Sequence, residues 1–406
     1  MNENTARTQV VVIGGGYAGV MAANRMSGRD GVAVTLINPR PAFVERIRLH
    51  QLVGGNHAAV VDFRDVLADG VRLVVDTVDR IDAPGRGLTL ASGDTMSYDY
   101  LLYAVGSGSA DPSVPGAAEF AYPVAGLEEA ERLRPVVEQA AAEAPVTVVG
   151  AGPTGIETAA ELAEQGRRVT LVCGDVLGPY LHPRGRRSVA GRLAELGVTV
   201  VEGRDAKVNA VTRETVELAD GRSLPSAVTI WTAGFSVPDL AARSGLTTDA
   251  LGRLITDETL TSVDDDRILA AGDSAAPSGL PLRMSCQAAG PLGAHAADTL
   301  FDRLDGVPPA NIGIGFAGQC LSLGRRLGLF QVAGKDDTPK GYFLGGSPGA
   351  KLKEFICKET VKQLADEARR PGAYNRHKKS DSEGKRRREL LALRGALPET
   401  APAVRS

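Results

Sequence analysis

The sequence predicts an α/β fold with two parallel-sheet units, and three observations carry that prediction. Two stretches, "VVVIGGGYAGVMAA" from Val10 and "VTVVGAGPTGIETAAEL" from Val146, each read as a buried strand, a glycine-rich turn and a helix. After the first helix a β-branched run, "VAVTLIN" over Val32–Asn38, supplies the second strand of a βαβ unit. The 406-residue length exceeds one ordinary core, so two or three domains are expected. Together these point to two Rossmann-like dinucleotide-binding domains.

The elements follow in order. "QVVVIG" at residues 9–14 suits a strand buried on both faces, and a helix follows over Ala18–Ser27. Residues 71–103 read as a β-meander. A charged, alanine-rich helix over Leu127–Ala144 leads through Pro145 into the second unit, and a hairpin-like region, Val198–Ala233, ends in "TIWTAG". "RILAAGDSAA" (Arg267–Ala276) is a strand that runs into a turn and an acid. Residues 286–304 read as helix, short strands return over Ile312–Leu344, and "AKLKEFICKETVKQL" (Ala350–Leu364) reads as a further helix. Beyond Leu364 the composition shifts to Arg, Lys, Ser, Gly and Pro, the signature of a solvated tail.

Each cradle spaces its glycines as G-x-G-x-x-G: Gly14, Gly16 and Gly19, then Gly150, Gly152 and Gly155. The first glycine permits the tight turn. The second lets the backbone approach a pyrophosphate, and the third lets helix and strand pack closely. The helix N-terminus then offers N–H groups and partial positive charge to the anion. An acid that would hold ribose hydroxyls is expected near 20 positions on, but Asn38 stands there in the first unit and Cys173 in the second. Asn38 can still bond a hydroxyl. Asp175 lies close to Cys173, and Arg184, Arg186 and Arg187 follow within reach of a 2′-phosphate, so NADH and NADPH both stay open.

Composition excludes other classes. The 43% hydrophobic fraction describes a globular protein, and a net charge of −3 gives no argument for nucleic acid. No apolar run approaches the roughly 20 residues that span a bilayer, and the N-terminus shows no leader, which points to the cytoplasm. The four cysteines and five histidines form no metal-ligand pattern, so no metal is expected.

"GGGYAG", "VVGAGPTGIETAAELAE", "IWTAGF", "ILAAGD" and "LSLGRRLGL" occur in the order found in two-dinucleotide-binding-domain flavoproteins. The chain resembles type II NADH dehydrogenases most. The resemblance implies an FAD domain (8–120 and 261–310) with an NAD(P)H domain (121–260) inserted in it. A small C-terminal α+β region (311–365), a candidate membrane platform, and a basic tail (366–406) complete the chain. It further implies that the first cradle, with Tyr17 and Ala18, holds FAD, with Asn38 and Arg40 near the adenosine ribose. Ala104, Val105 and Gly106 match the family's alanine–threonine–glycine turn beside the flavin, with valine for threonine. Gly272 and Asp273 match the segment that binds the ribityl and pyrophosphate region.

On the same resemblance the second cradle, with Thr154, holds NADH or NADPH. Glu157 lies where nicotinamide meets flavin, and Gly234 belongs to a turn near the nicotinamide. The helix 286–304 points its N-terminus at the flavin ring. Its "CQAAGP" keeps Gln287 and Ala289 of a quinone-site A-Q-x-A-x-Q motif but substitutes Cys286 and Pro291, and the proline is expected to kink the helix.

The implied activity is FAD-dependent NAD(P)H dehydrogenation with electrons passed to a second acceptor, a quinone in the family. Glu157 and Gln287 are the candidate catalytic residues. A specialised small-molecule acceptor and a non-catalytic redox sensor are the alternatives. No redox cysteine pair is present, although Cys286 falls near the flavin. Leu352, Phe355, Ile356 and Leu364 form an apolar stripe on the C-terminal helix, compatible with packing on its own domain or with peripheral membrane contact. "RHKKSDSEGKRRR" would add attraction to anionic lipid. A homodimer stays open.

Overall fold

The computed structural model describes residues 7–375, together with Ala392. Two five-stranded parallel sheets form its framework. In the first, Ile268–Ala270, Tyr100–Tyr103, Thr8–Ile13, Val32–Asn38 and Val71–Val75 lie side by side in that order. The second runs Ala121–Pro123, Val228–Trp231, Val146–Val149, Val169–Gly174 and Thr199–Glu202. In both, the strand that feeds the glycine-rich turn is the third of five, covered on both faces. Val10, Val11, Val12 and Ile13 are accordingly all buried, as are Val146, Val148 and Val149. Each such side chain is worth roughly 1.5–3 kcal/mol of burial.

The chain leaves the first sheet after Tyr103, builds the second, and returns as Ile268–Ala270 against Tyr100–Tyr103. The first sheet is therefore incomplete until the second has been made. This splits the expected meander over 71–103. Its outer strands join the parallel sheet, and only Val78–Asp82, Gly87–Leu90 and Thr95–Ser97 form an antiparallel layer. The region 198–233 divides the same way: Val208–Val211, Thr215–Leu218 and Ser223–Pro225 are antiparallel, while the flanking strands are parallel. Local alternation does not tell which partner a strand will find.

The helix Cys286–Leu304 is capped by Ser285, whose side chain accepts from the Ala288 N–H, and it runs unbroken through Pro291. Its Gly293 lies against the first cradle helix, Tyr17–Ser27, so closely that a Cβ there would sit 2.1 Å from the Ala18 carbonyl oxygen. Strands Gly318–Ser322, Gly328–Ala333 and Pro339–Gly345 make a small antiparallel sheet.

The C-terminal helix spans Gly346–Arg369, longer than expected, and the anticipated apolar stripe does not hold together. Leu364 is buried, but Phe355 is 60% exposed, and the inward face carries Lys353 and Glu367 with Gly349 and Cys357. A helix with charge inside and phenylalanine outside has been placed by specific partners. Glu367 accepts from the Gly372 and Tyr374 N–H groups and lies 3.6 Å from Arg25, which also pairs with Asp298. The chain is thus clamped past residue 366, and Tyr374 is buried. The segment "RHKKSDSEGKRRR" lies outside the described residues.

Candidate active site

The two glycine-rich turns repeat one geometry. Gly14 and Gly150 adopt φ of +104° and +129°, the left-handed region that favours glycine. Cβ atoms on Gly19 and Gly155 would lie 1.9 and 2.0 Å from the carbonyl oxygens of Gly14 and Gly150, so only hydrogen fits between helix and turn. Gly16 and Gly152 are different: a Cβ there would meet nothing within 4 Å. Each middle glycine therefore faces open space at the N-terminus of a helix that has no side-chain cap. Free N–H groups and the positive end of the helix dipole in an open cradle are what a pyrophosphate requires. The residues present fit two dinucleotides.

Around the first cradle, the Ala104 carbonyl oxygen would lie 2.3 Å from a Cβ on Gly14, and the Val105 Cα 3.1 Å. Gly106 and Gly272 take φ of +72° and +77°, and a Cβ on Gly272 would touch that of Ala18 at 3.0 Å. The carboxylate of Asp273 accepts from the Ser107 hydroxyl at 2.7 Å and lies 3.6 Å from Arg46, which itself donates to Ser107. Arg46 escaped the sequence reading because nothing local marks it.

Asn38 and Arg40, expected near an adenosine ribose, also have partners within the protein. The Asn38 side chain accepts from the Gly15 N–H and donates to the Arg40 carbonyl, so it fastens the glycine turn to the end of the second strand. Arg40 pairs with Glu128 at the start of the helix Leu127–Gln139.

Around the second cradle, Thr154 and Gly234 meet in a small pocket with Ala125, Trp231, Thr232 and Phe235. Trp231 spends its indole N–H on the Ala233 carbonyl and belongs to the core. The arginines expected near a 2′-phosphate lie on the helix Pro183–Glu195, which packs against the strand Pro339–Gly345. Arg186 donates to the Leu181 carbonyl. An acid does stand beside Cys173, one strand over. Burial and the Glu202 carboxylate push the Cys173 thiol up to about 12, and Glu202 accepts from the Leu177 N–H in the loop that follows Gly174.

Between the cradles lies a buried polar junction. Glu157, 5% exposed, accepts from Lys353 Nζ at 2.9 Å and from the Ser322 N–H at 2.8 Å, and its second oxygen lies 3.7 Å from His50 Nδ1. Burial alone would raise the Glu157 carboxyl, but Lys353, helped by the Ser322 N–H, outweighs it and holds the group below the ordinary range. Lys353, buried against Glu157, is driven well above the usual ammonium range.

Cys286, Cys320 and Cys357 surround this ammonium. All four cysteines are free, and burial pushes Cys286 up to about 12 and Cys357 to about 11, which keeps them protonated and poor nucleophiles. The Tyr17 hydroxyl is buried on the same side, raised by burial and by Cys286 and Glu45. Gln287, its amide oriented to satisfy both neighbours, donates to the Gly318 carbonyl and accepts from the Ala317 N–H, tying the long helix to the C-terminal sheet. Lys353 was legible only as one position of a helix. With Gly349, Cys357 and Leu364 it forms a face at spacings of four, four and seven, and a lone lysine on such a face is the signal that was missed.

Comparison with known proteins agrees with this geometry. The pyridine nucleotide-disulphide oxidoreductase family matches residues 8–295. The NADH dehydrogenase-like protein Rv1812c of Mycobacterium tuberculosis is 34% identical over 333 residues, covering 73% of this chain and 82% of the relative. The type II NADH:quinone oxidoreductase Ndh of the same species is 29% identical, over 75% and 74%. Among solved structures, NDH2 of Plasmodium falciparum in complex with NADH has a TM-score of 0.73 at 15% identity, covering 91% of this chain and 99% of that one. The sulfide:quinone oxidoreductase of Aquifex aeolicus reaches 0.75 at 20% identity, over 98% and 100%. These two share the fold. Two glycine cradles on twin parallel sheets, joined by a buried junction, place the chain in the pyridine nucleotide-disulphide oxidoreductase family.

Proposed function

We propose that this chain is an FAD-dependent NADH dehydrogenase that passes electrons to a quinone. The observation that carries the reading is the pair of open cradles, each with a middle glycine facing unfilled space before an uncapped helix. The names of the relatives support the nucleotide and the acceptor. Bound in the first cradle, FAD would supply the two-electron chemistry, accepting hydride and releasing electrons.

The chain's own residues position and protonate. Gly14, Gly16, Gly19 and the helix Tyr17–Ser27 hold one pyrophosphate, with Asp273, Ser107 and Arg46 beside the turn Ala104–Gly106. Gly150, Gly152 and Gly155 hold the other, with Thr154 and Gly234 in the pocket next to it. Of the Glu157–Lys353 pair only Lys353 carries a proton, which an acceptor oxygen made strongly basic by reduction takes while Glu157 keeps the ammonium in place. Gln287 positions the long helix against the C-terminal sheet. Anaerobic addition of NADH should bleach the yellow protein, and menadione should restore the colour. Protein that binds FAD but is not bleached would be a sensor instead.

Glu202 beside the end of the strand Val169–Gly174 disfavours a 2′-phosphate, because like charges repel. NADH should therefore bleach the flavin at least about tenfold more efficiently than NADPH. Glu202→Gln should narrow the gap, and an unchanged ratio would remove Glu202 from nucleotide choice.

The outer face of the C-terminal region supports peripheral membrane contact. Tyr342 and Phe355 are 72% and 60% exposed, Leu344 is also exposed, and Lys351 and Lys358 flank Phe355. Exposed aromatic side chains, with lysines one helical turn to either side of Phe355, suit an anionic bilayer surface. Among the described residues no helix is long and apolar enough to cross a membrane. The double substitution Tyr342→Ser/Phe355→Ser should weaken sedimentation with anionic liposomes by about tenfold, with NADH bleaching unchanged.

A further inference from the structure

We propose that His50 is a positioning residue that passes solvent protons to Glu157, with Glu161 as the outer station of the same path. The inference rests on the quinone reading above. The balance is NADH + quinone + H⁺ → NAD⁺ + quinol. Hydride carries both electrons and one hydrogen, and the second hydrogen of the quinol is a proton drawn from solvent in every turnover. Glu157 and Lys353 are 5% and 6% exposed, so whichever donates that proton must be refilled from elsewhere.

His50 is placed for the refilling. It is 3% exposed, its Nδ1 lies 3.7 Å from Glu157 Oε2, and its Nε2 is buried with no hydrogen bond. A buried polar atom left unpaired is costly and asks for an explanation. One helical turn beyond Glu157, Glu161 is 1% exposed, and its Oε2 is buried without a hydrogen bond, with the Arg325 guanidinium at 3.9 Å. Its Oε1 accepts from the side chain of Asn56, an exposed residue.

The two helices face each other in register. His50 stands opposite Glu157, and Gly54, one turn on, stands opposite Glu161, where a Cβ would lie 2.8 Å from the Glu161 Cγ. An unpaired imidazole nitrogen and a carboxylate oxygen with no hydrogen bond, on facing surfaces one turn apart, are the setting for a bridging water. Solvent reaches Glu161 where the exposed side chains of Asn56 and Arg325 meet its carboxylate; from there the proton crosses by that water to Nε2, and the proton on Nδ1 leaves for Glu157 Oε2. No electrons move along this path, and a half-turn of the imidazole about its Cβ–Cγ bond brings the protonated nitrogen back to face Glu157 before the next turnover.

The charges around the ring agree with conduction rather than storage. Burial lowers His50 to about 4, with Glu157 favouring its charge and Lys353, Arg325 and Arg48 opposing it. The ring is therefore neutral between transfers. Burial raises the Glu161 carboxyl against the pull of Arg325 and Asn56, so it favours its protonated form between transfers, and it releases its proton only once Lys353 has given up its own and no longer holds Glu157 down.

The test uses FAD-loaded full-length protein and two acceptors. Menadione takes electrons with protons, and ferricyanide takes electrons alone. His50→Gln should leave NADH bleaching and ferricyanide turnover within about twofold of wild type while menadione turnover falls at least about tenfold. The menadione deficit should widen as pH rises from about 6 to about 8, where protons are scarce, and the solvent deuterium effect on that turnover should grow. Glu161→Gln should show the same selective loss, and it carries the test alone if His50→Gln does not fold.

Equal losses with both acceptors would make His50 a packing residue and overturn the relay, as would unchanged menadione turnover. Wild-type protein that NADH bleaches and ferricyanide re-oxidises but menadione does not would reject the quinone reading itself, and the relay with it.

Discussion

Gly19→Ala should purify as a colourless, destabilised protein, whereas Gly16→Ala should fold normally and still lose its flavin. The two glycines are three residues apart in one turn, yet their surroundings are opposite. A Cβ on Gly19 would sit 1.9 Å from the Gly14 carbonyl oxygen and 3.3 Å from Val12, so the helix must lift from its strand. Overpacking of that kind costs about 1–3 kcal/mol, more where backbone must move. It also displaces the helix N-terminus that would bind the pyrophosphate.

Gly16 has φ of −85°, which alanine adopts freely, and nothing within 4 Å of the new Cβ. Its substitution should change stability by no more than about 0.5 kcal/mol. The methyl group would instead fill the approach to the anion and lower flavin retention by at least about tenfold. Thermal melts and the ratio of flavin to protein absorbance read both effects. Flavin-replete Gly16→Ala would mean that the open space is not the pyrophosphate site.

Lys353→Met is expected to have the largest effect in the C-terminal helix. Removing one partner of a buried ion pair leaves the other charge without compensation, at a cost of about 3–5 kcal/mol. In the wild type the Glu157 carboxyl is held below its unfolded value, so its contribution is present above that value and lost as acid protonates the folded state. Without the ammonium, burial dominates and the folded value rises above the unfolded one.

The penalty of the variant is then small in acid, where Glu157 is neutral in both states. It grows as pH rises past the unfolded carboxyl value. Melting curves of both proteins from about pH 4 to about pH 8 should therefore diverge with rising pH. Adding Glu157→Gln to Lys353→Met should recover most of the loss, because no buried charge remains. A difference in stability that does not depend on pH would mean that Lys353 matters only for packing.

Much of the fold was readable from local pattern. Both strand–turn–helix units stand where the glycine spacing put them, and the helix 286–304 has the expected bounds. Where a segment's partner is remote, the reading weakened. Residues 71–103 alternate like a meander, yet their end strands pair with Val32–Asn38 and Thr8–Ile13 in a parallel sheet. Asn38 stands out in the sequence only by its distance beyond the glycines, whereas its bond to the Gly15 N–H depends on how strand and turn pack. The stripe of Leu352, Phe355, Ile356 and Leu364 was read from hydrophobicity alone, and the helix turned to bury Lys353 because Glu157 needed a partner.

By itself, the order of residues along the chain determined the two cradles. A strand, a turn and a helix contiguous in sequence make their own contacts, and the glycine positions state which of those contacts tolerate no side chain. Only the tertiary structure decided what lies between the cradles. Glu157, His50, Ser322 and Lys353 come from four distant segments, and nothing in any one of those segments names the other three. Burial turns them into a junction. Taken out of water, a carboxylate must find a cation, and which cation it finds depends on how the whole chain packs rather than on any stretch of its sequence.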